Sequence, residues 1–288
     1  MLFRMAMTQQ CIQRHYEGAW KASSDAAKHL HDITYSSPIE DAIVYPLYRR
    51  MIADLRLKVT GGDILDIGSG AGRWIRFFLE NFAPKKLVGA DYTQGSIDLL
   101  NKWFPAGSAP QTDLSFRLAD ITNPALDLGQ KFDLINIANV LFHIPEADLF
   151  DNAIANLRKH VKRDGMIVTT EYLPRAPVRT QWMLVRDRYH FERTIKQAGL
   201  RIVAIKAFNI FANDPMGIEG PDDGPRGDFN KVRAMIRSLG AANAASEETT
   251  QFVITFLTEI ERAMLNFCAD RIPDIEMPSQ KLVFLAPE

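Results

Sequence analysis

The stretch DILDIGSGAGRW, residues 63–74, runs an apolar segment into an acid, then sets three glycines at every second position before an arginine. Glycines directly after a strand let the backbone approach a ligand closely. The helix that follows aims its unpaired first N–H groups at the same spot. A strand, a glycine turn and a helix in that order therefore predict one unit of an open α/β sheet, with a ligand at the turn.

The rest of the chain repeats the unit. DILDI (63–67), KLVGAD (86–91), LSFRLAD (114–120), FDLINIAN (132–139) and GMIVTTEY (165–172) read as strands, several too apolar to meet water on either face. GRWIRFFLENF, SIDLLNKWF and ADLFDNAIANLRKHV lie between them with helical periodicity. This alternation predicts a doubly wound, mostly parallel sheet. Residues 9–59 read as helices, with Ile39, Ile43, Leu47, Met51 and Leu55 at four-residue steps. Beyond residue 172 come a helix stopped by Gly199, a sixth strand, and a Gly/Pro/Asp-rich loop at 213–228. Helical stretches at about 229–239 and 246–271 and a last strand, QKLVFLAP, complete the chain. The expected organisation is an N-terminal helical cap (1–59), a ligand-binding core (60–209), a helical lid inserted before the last strand (210–279), and that strand (280–288).

Composition removes several classes of partner. The formal net charge of 288 residues is −1, so no overall field draws the chain to nucleic acid. The basic run Arg158-Lys159-His160 with Lys162-Arg163 is expected to be a solvated helix end. Two distant cysteines, Cys11 and Cys268, have no metal-ligand spacing and suggest free thiols in a reducing compartment. No apolar run reaches the ~20 residues needed to cross a bilayer, and MLFRMAM is too short for a signal-peptide core. A cytoplasmic protein without membrane attachment is expected.

The turn also discriminates among ligands. A dinucleotide fingerprint asks for G-x-G-x-x-G, whereas Gly68, Gly70 and Gly72 give G-x-G-x-G with Arg73 where the third glycine would stand. Asp66, two residues before the turn, would repel a pyrophosphate. It suits an ammonium, while backbone N–H groups or Arg73 suit a carboxylate. An adenosine-containing ligand further needs an acceptor for its ribose hydroxyls at the tip of the second strand, where Asp91 stands next to Tyr92. At the end of the third, Asp120 can accept from an adenine amine with Ile121 on the ring plane. No Tyr-x-x-x-Lys pair of a short-chain reductase is present.

These ordered pieces, spanning about residues 60–205, resemble the class I S-adenosylmethionine-dependent methyltransferases. The resemblance implies a seven-stranded Rossmann-like methyltransferase fold and S-adenosylmethionine as cofactor, with S-adenosylhomocysteine as product. It implies that Asp66, Gly68, Gly70 and Gly72 meet the methionyl end, Asp91 the ribose, and Asp120 and Ile121 the adenine; Arg73 and Tyr92 are further cofactor-binding candidates. FDLINIANVLFHIP looks like the family's fourth strand and the loop under the sulfonium, placing Asn139 at the cofactor.

Methyl transfer is an in-line displacement, so alignment supplies much of the rate and a hydroxyl acceptor must also lose a proton. His143, the one titratable side chain between Asn139 and Pro145, is the candidate base; Glu171, with Tyr172 beside it at the end of the fifth strand, is the second catalytic candidate. The Asn/Asp-Pro-Pro-aromatic motif of enzymes that methylate exocyclic amines is replaced by NVLF, and the aspartate of magnesium-using relatives is missing, so no metal is expected. The leading expectation is methylation of a small molecule at a hydroxyl, such as a sugar or secondary metabolite. Carbon or nitrogen methylation, and a non-catalytic binding module, are the alternatives. His15, Tyr16 and Trp20 are candidate walls of the site, with a cation–π contact from Tyr16 or Trp20 to the sulfonium. The acidic loop bearing Asp214, Glu219, Asp222 and Asp223 suits a cationic or hydroxyl-rich acceptor and equally a plain solvated loop. The stripe Phe252, Phe256, Ile260, Met264 and Phe267 is expected in the core or in a homodimer contact, and secondarily in a hydrophobic substrate pocket.

Overall fold

A computed structural model of the chain describes residues 8–26, 38–179, 183–209, 231, 247–277 and 279–288. In chain order these form α1 (Gln9–Ala26), α2 (Pro38–Asp54), β1 (Asp63–Ile67), α3 (Arg73–Asn81), β2 (Lys86–Asp91), α4 (Gln94–Trp103), β3 (Asp113–Leu118) and β4 (Phe132–Ile137). A single 3-10 turn, Leu141–His143, precedes α5 (Ala147–His160) and β5 (Val161–Glu171). Then follow β6 (Val178–Arg179), β7 (Leu184–Val185), α6 (Arg188–Gln197), β8 (Leu200–Asn209), α7 (Glu247–Ala269) and β9 (Gln280–Pro287).

Seven strands make one sheet in the order β3-β2-β1-β4-β5-β9-β8. The pairs β1/β2, β1/β4, β2/β3 and β4/β5 are parallel. The doubly wound α/β architecture read from the alternation is thus the one observed. Contacts divide the chain into two units: Met1–Tyr35 with Ile52–Ala204 and Val283–Glu288, and Ser36–Met51 with Ile205–Leu282. The catalytic candidates and all the cofactor candidates fall in the first.

Strand β1 is fully buried from Ile64 to Ile67, as its unbroken apolar run requires. Helix α3 buries Trp74, Ile75, Phe77 and Phe78. The Thr93 side chain caps α4 by accepting from Ser96 N, and Asp187 caps α6 by accepting from His190 N at 2.9 Å. Among the described residues no helix is long and apolar enough to cross a membrane.

Several local expectations are corrected. The buried face of α2 is Ile43, Val44, Tyr48, Met51 and Ile52 rather than every fourth residue, because steps of four drift around a helix of 3.6 residues per turn. Strand β5 starts at Val161, four residues early, with an irregular register between Phe132 and Leu134 of β4. The antiparallel pairing of β6 with β7 was not foreseen. The basic end of α5 is more than a solvated tip: Arg158 Nε donates to Gly199 O, Lys159 Nζ to Leu126 O, and His160 is buried. The α7 stripe is not core, since Phe252 is 69% and Phe256 54% exposed, while Leu257, Thr258 and Glu261 are buried instead. The loop at 213–228 lies outside the described residues, as does the helix expected at 229–239 apart from Lys231.

Candidate active site

In an open parallel sheet, ligands sit beyond the carboxyl ends of the strands where the strand order reverses. Here that point lies between β1 and β4, whose neighbours run outward in opposite directions. Gly68, Gly70 and Gly72 follow β1 with φ of 69°, 51° and 89°, the left-handed region where a Cβ is penalised. Space is short as well. A Cβ on Gly68 would stand 2.2 Å from Val140 Cγ2, and one on Gly70 2.9 Å from the Trp20 ring. Gly68 N and Ser69 N both donate to Ala90 O, tying the turn to β2.

Asp66 is 1% exposed. Its Oδ1 accepts from Asn136 Nδ2 at 2.7 Å, whereas Oδ2 has no hydrogen-bond partner among the described residues. Burial pushes the carboxyl up to about 7, against the pull of the Asn136 bond. A buried carboxylate oxygen without a donor is costly, and a ligand ammonium would satisfy it. The residues present thus fit the amino-acid end of S-adenosylmethionine.

Asp91 ends β2 and is almost wholly buried. Its Oδ2 accepts from Gly70 N at 3.0 Å; its Oδ1 accepts from Thr93 N at 3.0 Å and Thr93 Oγ1 at 2.8 Å. Three of about four acceptor positions are thereby used, which fixes the turn against the β2 loop and leaves room for one further hydroxyl. Burial pushes this carboxyl up as well. Tyr92 is half-buried, its carbonyl accepts from Gln13 Nε2 at 3.2 Å, and burial, followed by the charge of Asp91, pushes its phenol up. Asp120 is exposed two residues past β3, with Oδ1 accepting from Thr122 N and Oγ1 at 2.8 Å each. Ile121 beside it is buried, and Asn156 Nδ2 donates to its carbonyl. Arg73 is half-buried, with its guanidinium carbon 5.2 Å from the ring centre of Trp74.

The loop after β4 is pinned from both sides. Asn139 has φ of 59°, a conformation asparagine tolerates better than most. Its N–H donates to Thr170 Oγ1 at 2.7 Å, and Thr170 Oγ1 donates to its Oδ1 at 2.8 Å. Past His143, Arg186 Nη2 donates to Ile144 O at 2.7 Å and its guanidinium lies 3.6 Å above the Phe150 ring. Arg186 is buried, as is Glu171 at the end of β5, whose Oε1 accepts from Thr169 Oγ1 at 3.0 Å. Burial pushes Glu171 up to about 8, with the Arg186 charge pulling the other way.

His143 closes the 3-10 turn, its N–H donating to Val140 O at 2.9 Å. Its Nε2 lies 3.1 Å from Tyr16 Oη. Helix α1 brings that phenol in. Gly95 N donates to Glu17 Oε1 at 2.9 Å, Gln9 N donates to Glu146 Oε1 at 2.9 Å, and Trp20 packs with Ala71 and Leu99. Helix α1 therefore lies on the loops after β1, β2 and β4. Asn136, Thr170, Arg186 and the Tyr16–His143 contact were not foreseen; an asparagine inside the otherwise apolar LINI was the one readable signal.

Comparison with known proteins agrees with this geometry. Residues 64–165 match a family model described as a methyltransferase domain. No curated protein matches the chain. Among solved structures, the [4+2]-cyclase SpnF is 15% identical with a TM-score of 0.56, the match covering 98% of this chain and 97% of that one. A putative methyltransferase from Haloferax volcanii, solved in complex with the Trm112 methyltransferase activator, is 14% identical with a TM-score of 0.54, covering 96% and 98%. At such identities the likeness is one of fold. Over residues 64–165 the chain is thus similar to a methyltransferase domain, set on a sheet of strand order β3-β2-β1-β4-β5-β9-β8.

Proposed function

We propose that the protein methylates a hydroxyl oxygen of a small molecule, with His143 as the base that removes the hydroxyl proton. When bound, S-adenosylmethionine supplies an electrophilic methyl group on a sulfonium. Asp66 holds the ammonium of the methionyl end, helped by backbone N–H groups of the glycine turn and by Arg73. Asp91 accepts from the ribose, with Tyr92 alongside, and Asp120 and Ile121 take the adenine. Asn139 shapes the loop that faces the methyl group, and Glu171 with Arg186 closes the floor beside it.

The observation that carries the oxygen reading is the Tyr16–His143 contact of 3.1 Å on the loop after β4. A ring nitrogen within hydrogen-bond reach of a phenol is positioned to take part in proton transfer. Carbon or nitrogen methylation is the alternative, and a substrate amine that arrives unprotonated would need no such base. SpnF, a [4+2]-cyclase, shares the fold over nearly the whole chain, so the acceptor chemistry does not follow from fold. The exposed Phe252, Phe256 and Phe267 support self-association through α7, which sedimentation velocity checks.

The deciding experiment incubates the protein with methyl-labelled cofactor and a fractionated extract of its source cell, then identifies the labelled product by mass spectrometry. An O-methyl product formed by the parent and lost in His143→Gln supports the reading. An N- or C-methyl product, or transfer that survives H143Q, overturns it.

A further inference from the structure

Tyr16 Oη lies 3.1 Å from His143 Nε2. Its ring stacks on Trp20, centres 6.3 Å apart and planes 26° from parallel, and meets the His143 ring edge-on at 5.3 Å. Trp20 in turn lies against the Gly70 turn. The Tyr16 phenol also adds to the field on the Tyr92 phenol, together with Asp91, Asp120 and Glu17. It therefore sits among the strand-end loops that make the cofactor crevice, held there by the α1 bonds from Gln13, Glu17 and Gln9.

We propose that Tyr16 is a catalytic residue, the group that touches the acceptor hydroxyl and relays its proton to His143; this rests on the oxygen-methylation reading above. As the acceptor oxygen forms its bond to the methyl carbon, the carbon–sulfur bond breaks and leaves S-adenosylhomocysteine neutral at sulfur. The acceptor's O–H proton passes to Tyr16 Oη, while the phenol's own proton passes to His143 Nε2. The resulting imidazolium releases its proton to water. Charge and atoms balance, because the positive charge that leaves the sulfonium leaves as that proton. A phenol with a pKa near 10 would be a poor base alone, and coupling to an imidazole removes the need for a free phenolate.

The test uses the full chain and the variants Tyr16→Phe, His143→Gln and their double. Phenylalanine keeps the ring that stacks on Trp20, so Y16F should melt at the parent's temperature and bind S-adenosylhomocysteine within twofold of it. Labelled methyl transfer into the extract should fall at least tenfold in Y16F, and the double variant should be no slower than H143Q. In ¹⁵N-histidine spectra, with H143Q identifying the signals, the His143 ring resonances should move in Y16F. Y16F transfer within twofold of the parent, losses that multiply in the double variant, or unmoved His143 resonances would each overturn the relay while leaving O-methylation standing. A parent that binds S-adenosylhomocysteine but transfers no label to oxygen overturns both. Should Y16F melt early, the transfer rates are compared per molecule of protein that binds S-adenosylhomocysteine, and the same tenfold fall is expected.

Discussion

Asp66 of β1 and Asn136 of β4 are partners in the parallel register, and the Asn136 amide donates to Asp66 Oδ1 across 2.7 Å. Parallel pairing alone brings these residues together, 70 positions apart in sequence. The bond orients the carboxylate and leaves its other oxygen for a ligand.

Cofactor affinity should depend on pH with a definite sign. The ammonium prefers an ionised Asp66, whose carboxyl is pushed up to about 7, so affinity rises as pH climbs through that value. Calorimetric titration with S-adenosylhomocysteine from pH 5.5 to 8 should show this rising limb in the parent, and Asp66→Asn should abolish it. A rising limb that persists in D66N removes Asp66 from the ammonium site.

Asp91→Ala should weaken S-adenosylhomocysteine binding by about 1–3 kcal/mol through the lost ribose bond. It also strands Gly70 N and Thr93 N, so the melting temperature should drop too. Asp91→Asn separates the effects, since it keeps an oxygen for one of those donors. Equal affinity in parent and D91A would withdraw the ribose assignment.

The glycines should differ in their tolerance of a methyl group. Gly61 has φ of 66° with nothing within 4 Å of a built Cβ, so Gly61→Ala costs only the left-handed backbone, about 1–2 kcal/mol. Gly68 shares the conformation but would meet Val140 at 2.2 Å. Urea unfolding should therefore rank G68A well below G61A, and the companion change Val140→Ala should recover part of the difference.

His160 predicts an acid limit to stability. It is 2% exposed, its Nε2 accepts from Leu128 N at 3.1 Å, and burial lowers its pKa from 6.5. The unfolded chain takes up a proton near 6.5 that the folded chain resists, so the contribution is complete above that pH and is lost progressively below it. The buried carboxyls of Asp66, Asp91 and Glu171 tilt stability the other way in parent and variant alike, so the readout is the difference between the parent and His160→Gln. From pH 4.5 to 8 that difference in unfolding free energy should grow with pH, reaching about 1–3 kcal/mol at pH 8.

What could be read in advance followed from local chemistry. The GSGAG turn, Asp66, Asp91 and Asp120 each sit at a strand end where backbone geometry and an acid occur in one short stretch. The supports of the site did not announce themselves, because they join distant segments. Thr170 reaches Asn139 over 31 positions, Arg186 reaches Ile144 over 42, and Tyr16 meets His143 over 127. An arginine in LVRDR or a tyrosine in RHYEG carries no local sign of which carbonyl or imidazole it will meet. The phase of α2 was missed for a related reason, since an apolar helix with Pro46 inside it offers several competing faces.

The indole of Trp20, pressed on the flat side of Gly70, also makes the protein its own optical probe. On the proposed reading, a methionyl group arriving at that glycine would change the surroundings of one tryptophan of four, so tryptophan emission would follow donor arrival in real time, with no dye attached.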